Sequence, residues 1–338
     1  MRRAVQIALL LAALLPAQTK KVVITTPGPY YSGFGPTELA EMRAAAPDIH
    51  LVSYNKERLM AELVDADGVI GPITPAMLGV AKKLTWVQVG SAGVEGFLTP
   101  ELKNSRITLT NCKILQGPEI ADHAFALLLA LTRGLNRAIA RRAEEEWTPR
   151  QYSPVELQGK TAVVVGVGGI GTQIALRAQA FGMHVIAVDP RDIPYVPHIQ
   201  RSVPPDRLDA VLPLADVVFI SAPHTRETER MIGAKQFGLM KQGAYFIAVS
   251  RGKLYDAAAL ASAIETKHLT GAGLDVMDPE PLPKGHPLWK LENVVITPHI
   301  AGRSDGEHAR YIALYRENLR RFAAGEPLLN VVDKQKGY

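Results

Sequence analysis

The chain has 338 residues, 47% of them hydrophobic, which is enough to fill two cores, and a formal net charge of +5. The densest basic run, Arg133, Arg137, Arg141 and Arg142, has helical spacing and leads into Glu144, Glu145 and Glu146, so it reads as a solvated or subunit-facing helix, and nucleic acid is not an expected partner. A single cysteine, Cys112, excludes an internal disulfide and a cysteine-based metal cluster; no metal site is expected, and Cys112 itself reads as a packed small residue.

At the N-terminus, Arg2 and Arg3 precede an apolar run from Ala4 to Leu15 and the exit Pro16-Ala17-Gln18. This is the build of a secretory signal peptide over residues 1–18, too short for a stable membrane span. Export to the periplasm is the expectation; a cytoplasmic protein with a start assigned too far upstream is the alternative.

Strand and helix signals then alternate, as in an α/β protein. Val22 to Thr25, His50 to Ser53, Gly68 to Gly71, Trp86 to Val89 and Ile107 to Thr110 read as short strands of one open parallel sheet, with helical stretches such as Pro36 to Ala46 and Thr74 to Ala81 between them. A long helix is expected from Pro118 to about Glu146, then a loop from Trp147 to Gly159. A second strand series follows: Ala162 to Val165, His184 to Val188, Val217 to Ser221, Ala244 to Ala248, Gly271 to Asp275 and Val294 to Thr297. The last helix, Asp305 to Ala324, comes after that series and is free to return to the first sheet.

The second series opens on a turn of spacing G-x-G-x-x-G, Gly166-Val167-Gly168-Gly169-Ile170-Gly171, between a strand and a helix-like run. Gly166 permits the tight turn, Gly168 lets the backbone approach a pyrophosphate, and Gly171 lets the helix pack on the sheet. Backbone N–H groups and the positive end of the helix dipole would hold the phosphates. The next strand ends in Asp189, where an acid that accepts hydrogen bonds from a ribose 2'-hydroxyl is expected, roughly 20 residues on. A carboxylate there would repel a 2'-phosphate, so NAD is expected ahead of NADP; Arg191 could pair with that phosphate but reads as a solvated loop charge. The fold class is thus α/β, two Rossmann-like or flavodoxin-like domains with parallel sheets.

In such sheets ligands lie beyond the carboxyl ends of strands, and three polar residues qualify: Arg251, Glu280 and His299. A carbonyl receiving hydride develops negative charge on oxygen, which a guanidinium stabilises while gripping an adjacent carboxylate. Imidazole supplies the proton, and a nearby acid orients the ring and raises its pKa. Arg251, His299 and Glu280 suit these roles in that order.

At this point the chain resembles the D-isomer-specific 2-hydroxyacid dehydrogenase family from about Lys20 to Val332. The matching stretches are Ser91-Ala92-Gly93-Val94, Gly166 to Gly171, Pro223-His224-Thr225 with Thr228, Ser250-Arg251-Gly252, Gly273-Leu274-Asp275-Val276, Pro279-Glu280-Pro281-Leu282 and Thr297-Pro298-His299-Ile300-Ala301-Gly302. Ala248 departs from the family's frequent asparagine, and Ala121-Asp122-His123 from its alanine-glutamate-histidine. The resemblance implies interconversion of a 2-oxo acid and a D-2-hydroxy acid, with Arg251, Glu280 and His299 as catalytic arginine, paired acid and proton donor. It implies that Gly166, Gly168, Gly169, Ile170, Gly171, Asp189, Pro223, Thr228, Asp275 and Gly302 bind the nucleotide, Asp275 facing the nicotinamide carboxamide. Ser91, Ala92 and Gly93 would offer backbone N–H groups to the substrate carboxylate. His123 and His224 read as structural, the latter in the adenine-side loop. The implied domains are a discontinuous substrate domain of residues 19–117 and 301–338, and a nucleotide domain of residues 118–300 whose first helix builds a homodimer. Specificity would come from around Tyr30, Tyr31, Ile73, Ser91 to Glu95 and Trp289. Two other readings stay open: a nucleotide-sensing binding protein without turnover, and an exported protein with a fixed nucleotide.

Overall fold

The computed structural model describes residues 19–27, 34–145, 147–194 and 196–338. The expected leader, Tyr30, Tyr31 and Glu146 lie outside the described residues.

The first half supplies strands β1 (Lys20–Ile24), β2 (Ile49–Val52), β3 (Gly68–Ile70), β4 (Trp86–Gln88) and β5 (Thr108–Thr110), with helices α1 (Pro36–Ala45), α2 (Leu59–Leu63), α3 (Pro75–Val80) and α4 (Pro100–Lys103) between them. The strands form a parallel sheet in the order β2-β1-β3-β4-β5. Period-two alternation puts Val23, Val69, Val87 and Leu109 on one face, against Leu59, Leu63 and Leu102. Val22, Ile24 and Trp86 face the other way, where Tyr311, Tyr315 and Leu319 of the last helix, α11 (Glu307–Ala324), cover them. Lys20 reinforces that docking, its Nζ donating to Phe322 O at 2.5 Å and lying over the Phe322 ring. The final helix therefore does return to the first sheet.

The second half supplies β6 (Thr161–Val165), α7 (Gly169–Ala180), β7 (His184–Val188), β8 (Arg201–Val203), α8 (Leu208–Val211), β9 (Val217–Ile220), α9 (Ala234–Leu239), β10 (Tyr245–Ala248), α10 (Ala257–Glu265), β11 (Gly271–Leu274) and β12 (Val294–Ile296). They pair in parallel as β12-β11-β10-β9-β6-β7-β8. The order reverses at β6, so the loops after β6 and β9 part there and open a crevice at the carboxyl edge. Val163, Val165, Val218, Ile220 and Phe246 pack under α8 to α10, while Ala162, Val164, Phe219 and Ile247 pack under α7 and α5 (Gly117–Thr132).

The expected long helix is broken. Helix α5 stops at Thr132, Gly134 adopts φ 69, and a short α6 (Leu135–Ala140) resumes in a new direction. Gly134 in the left-handed region ends α5, and a side chain there would run into the Tyr152 ring at 2.8 Å, over which Arg137 lies, so only glycine fits at the break. Strand β8 was not expected: two of its three side chains, Arg201 and Ser202, are exposed, and an edge strand of this kind carries no apolar alternation. Cys112 is fully buried beside Tyr315, and burial pushes its thiol pKa up, as fits a packed residue. No helix among the described residues is long and apolar enough to cross a membrane.

Candidate active site

The dinucleotide turn is built as its spacing requires. Gly166 sits at φ 86, and a Cβ there would meet the Ala222 backbone at 2.5 Å, so no other residue fits between β6 and the loop after β9. Gly168 is the N-cap of α7 without a side-chain cap, and a Cβ on it would meet nothing within 4 Å. Open space therefore lies before the first turn of a twelve-residue helix whose N–H groups and dipole favour an anion. These residues fit a dinucleotide pyrophosphate. Thr228 shapes the neighbouring loop, its Oγ1 donating to Pro223 O at 2.7 Å and accepting from Thr225 N at 2.8 Å.

Asp189 ends β7 as expected, but its buried carboxylate is already engaged. It accepts from Val167 N at 2.7 Å, Arg191 N at 3.0 Å, and Arg191 Nε and Nη2 at 2.8 and 3.0 Å. Burial would raise this acid; the Arg191 guanidinium and the two amides outweigh it and hold the pKa below the ordinary value. Arg191 is thus no freely solvated charge: besides gripping Asp189, it donates to Val167 O at 2.8 Å and lies across the turn.

The three chemical residues meet in one crevice. Arg251, Asp275, His299 and Gly302 line it together with Ser91, Ala92 and Gly93 from the first sheet and Ile170 from α7. His299 Nδ1 lies 2.8 Å from Glu280 Oε2, and Glu280 Oε1 accepts from Met277 N at 2.9 Å, which fixes the acid's rotamer. The Glu280 hydrogen bond raises the His299 pKa, ahead of the burial and the Arg251 charge that lower it. For Glu280, burial works upward but the bonds from His299 and Met277 prevail and its pKa falls. The pair is therefore biased toward imidazolium and carboxylate.

Asp275 braces the turn that follows β12. Its Oδ1 accepts from Thr297 Oγ1 at 2.6 Å and Ile300 N at 3.0 Å, and its Oδ2 from Ala301 N at 2.9 Å. The carboxylate pins the turn that holds His299 at φ 53, a left-handed backbone uncommon for a non-glycine residue. His123 of α5 reaches the same knot, its Nε2 lying 2.8 Å from Thr297 Oγ1. The sequence reads His123 as structural and Thr297 only as part of a matching stretch, because the contact that joins them links segments far apart in the chain.

Opposite this cluster, every carbonyl of the Ser91–Gly93 loop is taken: Cys112 N donates to Ser91 O at 2.9 Å, Asn111 Nδ2 to Ala92 O at 2.6 Å, and Ser91 Oγ to Gly93 O at 2.5 Å. Glu95, on the same loop, forms an ion pair with Arg251 Nε across the crevice. His224 lies near Glu95. Gln116, Ile120, Val249 and Arg303 also line the crevice without having been singled out. Trp289, half exposed, is tied to Pro283 O through its ring N–H, and Ile73 is buried.

Known proteins are similar to this chain in sequence and fold. The family model for the NAD binding domain of D-isomer specific 2-hydroxyacid dehydrogenases matches residues 125–301. A glyoxylate reductase of Korarchaeum cryptofilum is 33% identical over 83% of this chain and 87% of its own length. A D-3-phosphoglycerate dehydrogenase of Methanocaldococcus jannaschii is 31% identical over 82% of this chain, which spans only 54% of that longer relative. Among solved structures, an NADPH-dependent glyoxylate/hydroxypyruvate reductase of Sinorhizobium meliloti, in complex with NADP and sulfate, superposes with a TM-score of 0.78 at 25% identity, covering 94% of this chain and 100% of that one. With a sheet order, a glycine turn and a sequence likeness that all agree, the chain belongs to the D-isomer specific 2-hydroxyacid dehydrogenase family.

Proposed function

We propose that this protein interconverts a short 2-oxo acid and its D-2-hydroxy acid with NAD(H), His299 acting as acid and base. The observation that carries the reading is the His299–Glu280 pair, hydrogen-bonded at 2.8 Å, in the same crevice as Arg251 and next to the dinucleotide turn. When bound, the nicotinamide supplies or accepts the hydride at C4. Arg251 grips the substrate carboxylate and polarises the carbonyl, and the N–H edge of Ser91 to Gly93 holds the carboxylate from the other side. His299, charged because Glu280 favours its imidazolium, gives its proton to the carbonyl oxygen; in the reverse direction it removes the hydroxyl proton. Each reduction consumes one proton from solvent through His299. Small acids such as glyoxylate, hydroxypyruvate and an aryl pyruvate are the substrate class.

NAD(H) is the preferred nucleotide on this reading, because the Asp189 carboxylate, kept ionised at the end of β7, would accept the ribose hydroxyls once the Arg191 guanidinium swings off it. Arg191, already poised on Asp189, is the group that would meet a 2'-phosphate, so Arg191→Ala should weaken NADPH use more than NADH use. The assembly is a homodimer built on α5 and α6.

The decisive measurement is NADH oxidation with glyoxylate, hydroxypyruvate and phenylpyruvate. At least one should be turned over, and His299→Ala should reduce that turnover by about 10²- to 10⁴-fold while NADH still binds. NADH binding with no oxidation on any of the three acids would overturn the enzymatic reading.

A further inference from the structure

The Arg251 guanidinium is held at two of its three nitrogens, and the third borders Gly93. Nε pairs with Glu95, Nη1 donates to its own neighbour Ser250 O at 2.7 Å, and Nη2 lies so close to Gly93 that a Cβ there would collide with it. The Glu95 restraint comes from the extension of the Ser91–Gly93 loop, on the opposite side of the crevice from the strand that carries Arg251, and Gly93 of that loop borders Nη2. Glu95 and Arg251 are both partly buried, at 41% and 32% side-chain exposure, so the pair is less screened than a surface ion pair.

We propose that Glu95 is a positioning residue: it fixes the plane of the Arg251 guanidinium across the crevice and offsets part of its charge, thereby setting both the affinity for a substrate carboxylate and the acidity of His299. The inference rests on the reading of Arg251 as the carboxylate anchor. With Nε committed to Glu95, the Nη2 edge that faces Gly93 is the one left for the substrate, and it points toward the loop whose N–H groups would share that carboxylate.

The charges around this contact are few. Arg251 and His224 act on Glu95; both lower its pKa against the upward effect of burial, which keeps it ionised. His299 is acted on by Glu280, Arg251 and Asp275, and among these Arg251 is the one that disfavours the imidazolium. Neutralising Glu95 leaves the guanidinium uncompensated. A substrate anion is then held more tightly, and His299 gives up its proton more readily.

The test compares Glu95→Gln, which keeps an acceptor for Nε but loses the charge, with Glu95→Ala, which loses both. Oxalate is the binding probe, titrated into NADH-loaded protein. Glu95→Gln should bind oxalate roughly two- to fivefold tighter, the range of one partly screened charge, and the alkaline limb of glyoxylate reduction should move to lower pH. Glu95→Ala should lose kcat by about tenfold or more, since a misplaced clamp misaligns the reactants. Unchanged oxalate affinity and an unmoved pH limb in Glu95→Gln would overturn the proposal. So would a Glu95→Ala protein with lower KM and full kcat, because Glu95 would then be a placeholder in the substrate's seat. NADH affinity checks the fold of each variant, and if Glu95→Ala does not fold, Glu95→Gln decides. Oxalate binding by a wild-type protein that turns over no 2-oxo acid would sink the enzymatic reading alone, with the titration still reporting on Glu95.

Discussion

The Glu280 carboxylate decides how the imidazole behaves, because it is the leading influence that raises the His299 pKa. Removing its charge in Glu280→Gln should let the pKa fall under the remaining burial and the Arg251 charge. Reduction needs the protonated ring, so its rate declines as pH rises through the His299 pKa; in the variant that decline should begin at lower pH, and a pH–rate profile measures it. The sign for stability is separate. A raised histidine pKa contributes stability below the unfolded value that is lost as pH rises through the folded one, whereas a lowered acid contributes above the unfolded value and loses it as pH falls. With side chains 42% and 38% exposed, both contributions are discounted by solvent screening, so Glu280→Gln should move the pH profile far more than the melting temperature. Arg251, Glu280 and His299 were legible as candidates because each follows a strand end. The grip of Asp275 and His123 on the His299 turn was not, since nothing local in those segments reveals that α5 passes over β12.

Elements were legible in proportion to their apolar periodicity. The buried strands β6, β7, β9 and β10 show near-continuous apolar runs and lie within a residue of where the pattern places them, whereas the polar edge strand β8 shows none. The break between α5 and α6 sits at Gly134, whose left-handed backbone ends α5, a local signal that the apolar periodicity running on past it overrides. Helix α10 illustrates a local rule that does hold: Asp256 Oδ1 accepts from Ala258 N and Ala259 N at 2.9 and 3.0 Å and closes the first turn. Asp256→Ala should cost about 1 kcal/mol, read as a lower denaturant midpoint with unchanged slope. Because α10 packs behind the sheet, away from the crevice, NADH affinity should stay as it is; a loss of binding without a loss of stability would contradict this placement.

At the scale of the molecule, two parallel sheets present their loops to a shared crevice, and the chain crosses between them at α5 and again before α11. Helix α5 is mostly consumed by that architecture: Ile120, Ala124, Phe125 and Leu128 are buried against the second sheet. What continues from it is not. Leu135 and Ile139, one turn apart on α6, are 48% and 71% exposed, and Trp147 just beyond is 94% exposed. Apolar side chains of this size left in water favour burial by a partner, and a second copy brings the same helix in a two-fold arrangement. A dimer through this face should therefore be the species in solution. Ile139→Glu places two like charges on the axis of such an interface and should shift the protein to monomer in analytical ultracentrifugation. The variant's own sheets are untouched, so NADH binding per chain should persist. A wild-type protein that sediments as a monomer at micromolar concentration, or an Ile139→Glu protein that remains dimeric, would show that α6 is not the contact.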